Sequence, residues 1–149
     1  MGIASGARVR ANTASEINAR VDRATEQRLC YFANHPEEIG ERLAQLDREW
    51  DIERALEANA ASIGLAGVVL GATVNPRWFL LPAIVSAFLL QHAIQGWCPP
   101  LPVLRRLGVR TQGEIEHERY ALKALRGDFE GAAEGLGTGG EKIRELVEG

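Results

Sequence analysis

The fold is decided by residues 58–98, which read ANAASIGLAGVVLGATVNPRWFLLPAIVSAFLLQHAIQGWC. The only formal charge in this stretch is Arg77, whereas both flanking segments are rich in charged residues. Two apolar blocks, Ala60–Val74 and Trp78–Ile94, are separated by Asn75-Pro76-Arg77, which suits a tight turn. The pattern predicts an all-α fold, in which a membrane hairpin of two transmembrane helices is flanked by cytoplasmic amphipathic helices.

The composition argues against a nucleic-acid partner, a disulfide scaffold and a zinc site. The chain has 149 residues and a formal net charge of −3, so a field that attracts nucleic acid is not expected. Two cysteines, Cys30 and Cys98, are too few and too far apart for a disulfide scaffold or a zinc module. No metal, cofactor or nucleic-acid partner is expected. The expected partner is a lipid bilayer.

Shifts in composition divide the chain into five segments. In order they are a disordered N-terminus (1–12), a helical cytoplasmic arm (13–57), the two-helix transmembrane hairpin (58–98), a post-membrane loop and helix (99–127), and a glycine-rich flexible tail with a short helix (128–149).

The arm contains two predicted helices. Thr13-Ala-Ser-Glu16 has the form of a capping box, and the first helix should extend from it to about Ala33. The second begins at Pro36 and carries a narrow apolar stripe, formed by Ile39, Leu43, Leu46 and Trp50. This stripe has two possible destinations, the headgroup layer of a membrane or a protein surface such as another copy of the chain, and its mixed charges favour packing against a protein partner. Because no helix breaker follows before Val74, the second helix is expected to continue into the membrane.

Small residues line one face of the first apolar block. Ala60, Gly64, Gly67 and Gly71 follow one another at spacings of four, three and four. Close backbone approach through small residues is how helices associate in lipid. The spacing predicts a helix-packing seam and a homo-oligomer.

The segment after the hairpin is expected to start without helix, because Cys98-Pro-Pro-Leu-Pro102 is rich in proline. Thr111-Gln-Gly-Glu114 is a second capping box, which should start a helix ending near Arg126. Arg105, Arg106 and Arg110 follow the hairpin, whereas its turn has only Arg77. The positive-inside rule therefore predicts that both termini are cytoplasmic, and a re-entrant hairpin stays open as the alternative to a full span.

Few residues suggest chemistry. Gln91, His92 and Gln95 form a polar cluster at the predicted membrane edge, where hydrogen bonds to a neighbouring helix or to lipid are the simplest role. Cys98 is a candidate reactive thiol because Arg105 and Arg106 could lower its pKa, although an inert buried cysteine is the simpler interpretation. No catalytic constellation is present in the sequence, so an enzyme is not expected.

Part of the chain resembles a known family. Val68–Asn75, Phe79-Leu-Leu81, Gly96-Trp-Cys-Pro99 and Leu107–Thr111 resemble the YgaP-like inner-membrane domain, a bacterial two-helix family of unassigned biochemical role. The resemblance covers about residues 57–111. It marks five positions, which are Gly96, Cys98, Pro99, Gly108 and Thr111.

The resemblance implies a hairpin in a bacterial inner membrane. Some members of the family also carry a rhodanese domain, a sulfur carrier with a nucleophilic cysteine. The charged helical arm of this chain departs from that arrangement, with Cys30 in no such loop, so sulfurtransferase activity does not carry over.

These observations favour a structural or accessory role in the inner membrane, with self-association through the glycine-lined hairpin and a possible cytoplasmic protein partner. Two alternatives stay open. One is a thiol-based redox or sulfur-relay accessory that uses Cys98. The other is a soluble, obligate helical oligomer that buries the hairpin in its own core.

Overall fold

The computed structural model describes residues 3–129, and every regular element within this range is helical. The all-α prediction is therefore confirmed for this part of the chain, whereas nearly all of the predicted glycine-rich tail lies outside it. The α-helices are α1 (Ile3–Ala11), α2 (Ser15–Ala33), α3 (Ile39–Leu46), α4 (Ile52–Thr73), α5 (Leu80–Gln95), α6 (Leu101–Arg106) and α7 (Gln112–Arg126). Short 3-10 helices, Pro36–Glu38 and Pro76–Phe79, precede α3 and α5.

The chain divides into two compact units. Within the described residues, the first comprises residues 3–23 and 50–115, and the second comprises residues 24–49 and 116–129. Helices α2 and α7 are each divided between the units, and the hairpin of α4 and α5 belongs wholly to the first.

The first unit has a small apolar core at the start of α4. Its buried members come from α1, α4, the α5–α6 connection and α6, and they are Val9, Ile52, Leu56, Cys98 and Leu101. Leu104 and Val109 pack against this cluster. The amide of Ile52 donates to the carbonyl of Arg110 at 2.8 Å, which ties the first residue of α4 to the chain just before α7.

Helix α1 replaces the disordered N-terminus that we expected. Val9 is fully buried, and Arg8 and Asn12 donate to the carbonyls of Ile94 and Gln95 at 3.1 and 3.4 Å. A helix this short is marginal in isolation, so its stability depends on these distant contacts. The expectation was wrong because nothing local in the sequence records a partner more than 80 residues away.

The predicted continuous helix from the arm into the hairpin was also wrong. Helix α3 ends at Leu46, and α4 begins at Ile52 after Asp51, whose carboxylate accepts the amide of Arg54 at 2.8 Å. Aspartate is among the strongest N-cap residues, and this local signal fixes a new helix start. Trp50 consequently lies outside the apolar stripe of α3 and is half exposed, with the Arg54 guanidinium 4.5 Å from the centre of its ring.

The proline-rich segment contains a helix that we did not expect. Helix α6 starts at Leu101 directly after Pro100, and Pro102 lies in its first turn. Proline is tolerated there because the amides of a first helical turn have no partner within the helix. The error came from treating these prolines as helix breakers when they stand at a helix start.

The two predicted capping boxes have different outcomes. The Thr13 hydroxyl donates to the Val9 carbonyl at 2.7 Å, and α2 begins later, at Ser15. The Thr111–Glu114 box is confirmed, because the Glu114 amide donates to the Thr111 hydroxyl at 3.2 Å and the Glu114 carboxylate accepts the Thr111 amide at 2.8 Å.

The second unit has its own core and a buried charge. The predicted stripe residues Ile39, Leu43 and Leu46 are buried within this unit, as are Phe32 of α2 and Leu122 of α7. The stripe therefore packs inside the chain, and the prediction that it packs against a separate partner was wrong. The fully buried carboxylate of Glu118 accepts from the guanidinium groups of Arg28 and Arg42 at 2.9–3.1 Å. The charge is therefore paired inside the unit, as a buried carboxylate requires.

Gly96 ends α5 in a left-handed conformation, with φ of 72°, and a Cβ added there would lie 2.4 Å from the Cβ of Arg8. Gly108 has φ of 89° and open space around the same position, so it provides a matched control. We expect Gly108→Ala to lower the free energy of unfolding by about 1–2 kcal/mol through backbone strain alone. Gly96→Ala should cost clearly more, because it also separates α1 from α5. Thermal unfolding in detergent, followed by circular dichroism, measures both, and equal losses would contradict the proposed contact.

Candidate functional site

The candidate site is the hairpin of α4 and α5 together with the polar groups at its base. The base is the rest of the first unit, namely α1, the start of α2, α6 and the first turn of α7. The helical segments Ile52–Thr73 and Pro76–Gln95 are both long and apolar enough to cross a membrane. No residue of α5 is buried, and Leu65, Leu80 and Ile94 are each about two thirds exposed. Soluble monomeric proteins rarely expose an apolar surface of this extent, which is typical of sites that contact a membrane or another protein.

The uncharged polar side chains of α4 form hydrogen bonds to the backbone of their own helix. Asn59, Ser62 and Thr73 each donate to the carbonyl four residues earlier, at 2.7 Å. A polar group in hydrocarbon needs a partner because water is absent. These three side chains can therefore enter lipid with a donor already satisfied.

Two of the four predicted seam residues pack inside the hairpin itself. Gly67 and Gly71 are buried, and a Cβ would lie 2.6 Å from the Pro82 ring at Gly67 and 2.9 Å from the Phe79 ring at Gly71. Gly64 has nothing within 4 Å of the same position. The close approach predicted by the small residues thus joins α4 to the chain's own α5.

The turn of the hairpin is compact and capped. The Asn75 side chain accepts the amide of Arg77 at 2.9 Å, and Pro76 begins the 3-10 helix that leads into α5. Trp78 is partly exposed beside the exposed Arg77, whereas Trp50 and Trp97 lie towards the opposite ends of the two helices. Tryptophan at both ends of an apolar hairpin is typical of membrane interfaces.

The predicted polar cluster forms only in part. Gln91 donates to the Gln95 side chain at 3.4 Å, a weak bond between residues one turn apart. The His92 carbonyl accepts the Gly96 amide at 2.7 Å, while its buried Nδ1 has no hydrogen-bond partner among the described residues. These contacts lie in the last turns of α5 and at its C-terminal end.

Helix α1 supplies the polar groups that close the end of α5. Helices finish with carbonyls that have no partner in the helix, and a cation or amide donor placed there is favourable. Arg8 and Asn12 occupy this position at Ile94 and Gln95. Sequence reasoning missed these residues, since neither belongs to a motif.

A buried ion-pair network centred on Glu114 holds the base together. The Arg105 guanidinium, which is fully buried, donates two bonds to the Glu114 carboxylate, at 2.7 and 2.8 Å. Arg10 donates to the same carboxylate at 2.6 Å and pairs with Asp22. Arg105 also donates to the Asn18 side chain at 2.9 Å and to the Val109 carbonyl at 3.1 Å. Glu114 was visible in the sequence as a capping residue, but its arginine partners were not.

The network changes the acidity of its central carboxyl. Burial acts to raise the pKa of Glu114, but hydrogen bonds from Arg105, the Thr111 amide and Arg10 outweigh it, and the net pKa is lowered. Glu114 is therefore ionised at neutral pH and stabilises the buried Arg105.

Cys98 does not have the surroundings of a reactive thiol. It is buried in the core of the first unit, and burial raises its pKa, only partly offset by a backbone hydrogen bond from Leu101. Lowering of this pKa by Arg105 or Arg106 finds no support, because the Arg105 guanidinium binds Glu114 and the net pKa of Cys98 is raised. These surroundings fit the simpler interpretation, an inert buried cysteine. Cys30 is exposed on α2.

The five positions marked by the family resemblance have visible structural roles or surroundings in the first unit. Gly96 ends α5, Cys98 fills the core and exposed Pro99 follows it before α6. Gly108 has positive φ two residues after α6, and Thr111 caps α7. Over residues 3–129, no group of three or more His, Cys, Asp or Glu side chains that could hold a metal ion is found.

Gly67 and Gly64 offer a test of the hairpin packing. Gly67→Ala places a methyl group against Pro82, so we expect it to separate α4 from α5 and lower the thermal stability. Gly64→Ala meets open space and removes a helix-destabilising glycine, worth up to about 1 kcal/mol in a soluble helix. It should be neutral or stabilising. Unfolding in detergent distinguishes the two variants, and a loss at Gly64 as large as that at Gly67 would contradict the assignment.

The lowered pKa of Glu114 predicts loss of stability in acid. A carboxyl with a depressed pKa in the folded state stabilises the protein above its ordinary value of 4.5, and this contribution is lost as the pH falls through the folded value. Glu114→Gln leaves Arg105 buried without its counter-charge, which should cost about 3–5 kcal/mol at neutral pH.

The difference between wild type and Glu114→Gln should start to shrink as the pH falls below 4.5, and it should vanish only below the lowered pKa of folded Glu114, where the carboxyl is neutral like glutamine. Glu16→Gln, at an exposed carboxylate of the same unit, is the control and should leave the profile unchanged. Thermal unfolding midpoints measured across acidic pH test this, and parallel profiles for wild type and Glu114→Gln would refute it.

Comparison with known proteins assigns neither a family nor a function to this chain. No protein-family model, curated protein or solved structure matches the chain. The function must therefore be argued from the hairpin and its base.

Proposed function

We propose that this chain is a membrane-anchored helical protein of the bacterial inner membrane, with a structural or accessory role. The hairpin of α4 and α5 crosses the bilayer twice, and the charged helices lie on the cytoplasmic side. The observation that carries the proposal is the bare apolar surface of the hairpin, which contrasts with the packed, ion-paired base from which it projects.

The lengths of the two helices suit this placement. The segment Pro76–Gln95 has 20 residues, about 30 Å of α-helix, which matches the hydrocarbon thickness of a bilayer. The start of α4 packs in the core through Ile52 and Leu56, and Glu57 is charged. Residues 60–73, about 21 Å of helix, are left for the lipid. A span this short is accommodated by local thinning of the bilayer or by oligomerisation.

Arginine placement supports the cytoplasmic orientation of the base. The first unit has nine arginines against six acidic residues. The arginines are Arg8, Arg10, Arg20, Arg23, Arg54, Arg77, Arg105, Arg106 and Arg110, and the acids are Glu16, Asp22, Asp51, Glu53, Glu57 and Glu114. Only Arg77 lies at the turn. The positive-inside rule then favours a cytoplasmic location for both termini.

Self-association is the second part of the proposal. Gly67 and Gly71 are occupied by α5, so a second copy would have to approach through Ala60 and Gly64, where the small-residue face is open. The resemblance to the YgaP-like domain is compatible with a small hairpin protein and stays a prediction. A soluble oligomer that buries the same surface is the alternative tested below, whereas the burial of Cys98 gives no support to a redox role.

Carbonate washing of membranes from cells that express the full chain tests the anchor. We expect the protein to stay in the washed pellet and to need detergent for release. Ile84→Arg places a charge on the exposed surface of α5, and it should lower the retained fraction severalfold.

Leu125→Arg changes an equally apolar, exposed residue of α7 and provides the matched control, with no loss of retention expected. Recovery of the wild-type protein in the supernatant as a discrete oligomer would overturn the membrane proposal and favour the soluble alternative.

A further inference from the structure

A second surface of the first unit combines exposed apolar residues with uncompensated arginines. On α6, Leu101 and Arg105 are buried, whereas Val103 is 56% exposed and Leu107, which directly follows the helix, is 75% exposed. Val103 and Leu107 are four residues apart, so they share the side of α6 opposite the core. Neither side chain belongs to the buried core, so packing within the unit does not explain why these two positions are apolar.

Three arginines accompany this apolar pair. Arg106 follows on α6, and Arg20 of α2 donates to the carbonyl of Arg106 at 2.8 Å. Arg23 lies one turn after Arg20 on the same helix, at an exposed position. Within residues 3–129, none of the three forms an ion pair with a carboxylate, and the neighbouring Asp22 is paired with Arg10. The group is therefore locally cationic.

The position of α6 relative to the start of the hairpin indicates that this surface meets the headgroup layer of the membrane. Leu101 belongs to the same buried cluster as Leu56 of α4. Leu56 precedes Ala60, where the lipid-facing block begins, by four residues, or about 6 Å of helix. The headgroup layer on each side of a bilayer is about 5–8 Å thick. If the hairpin spans, α6 is held at the depth of the headgroups.

We propose that Val103, Leu107, Arg20, Arg23 and Arg106 form a docking surface for anionic phospholipid at the membrane face on which the base lies. Val103 and Leu107 contact the upper acyl region, and the guanidinium groups bind headgroup phosphates, to which arginine is well suited. This inference rests on the proposed membrane anchor. It adds a lipid preference and a fixed seating of the base, which a hairpin alone does not supply.

An environment-sensitive fluorophore at residue 107 tests the seating. The labelled protein is the full chain carrying Leu107→Cys and Cys30→Ser, with native Cys98 protected by its burial. It is reconstituted in nanodiscs of phosphatidylcholine alone, or of an equal mixture with phosphatidylglycerol. We expect blue-shifted emission in the anionic discs, reversed by high salt, because exposed charges are screened.

Variants of the three arginines show whether docking depends on their positive charge or on the shape of their side chains. Each basic residue near an anionic surface contributes about fivefold to binding, so Arg20→Gln, Arg23→Gln and Arg106→Gln together should reduce docking by about a hundredfold and abolish the shift. Replacement of all three by lysine keeps the charge and should retain most of it. Arg77→Gln, at the turn of the hairpin, is the control and should leave the shift unchanged.

The outcomes distinguish this inference from the anchor itself. A protein that stays in carbonate-washed membranes but shows no lipid-dependent shift would overturn the docking surface and leave the anchor standing. The same conclusion follows if the glutamine triple variant keeps the wild-type shift. A protein released by carbonate would instead overturn the anchor on which both depend.

Discussion

The first unit depends on the pairing of Arg105 with Glu114. A fully buried guanidinium is costly to remove from water unless its charge is matched, and Glu114 meets it with two short hydrogen bonds. The same carboxylate receives Arg10 of α1 and caps the start of α7. One side chain thus joins α1, α6 and the first turn of α7. The apolar core formed by α1, α4, the α5–α6 connection and α6 is small, so this charged contact determines how they meet.

The hairpin is organised on a different principle. Its interior relies on two glycines that admit the Pro82 and Phe79 rings, and its outside has few polar groups that lack a partner in the helix. Water is absent from the expected surroundings, so close packing and internal hydrogen bonds replace hydrophobic burial as the stabilising forces. A chain of this kind needs a lipid or a protein cover.

The sequence pattern was sufficient for some elements and insufficient for others, for identifiable reasons. The hairpin, its turn and the Thr111–Glu114 cap were predictable because each is encoded within a few adjacent residues. Helix α1 and the Arg105 network were not, since their contacts join residues far apart in sequence. The break before Asp51 was readable in principle, because an aspartate followed by an apolar residue is a helix-start signal that we passed over. The surroundings of Cys98 required the fold, as its neighbours come from α1, α4 and α6.

The contact between Arg8 and the end of α5 separates two residues by 86 positions, with the whole hairpin between them. During synthesis at roughly 5–20 residues per second, α1 leaves the ribosome several seconds before the carbonyls that it will close. The base can therefore close only after the second apolar helix has been made. If the hairpin enters a membrane as proposed, closure by the N-terminal helix is a late step of biogenesis that follows insertion.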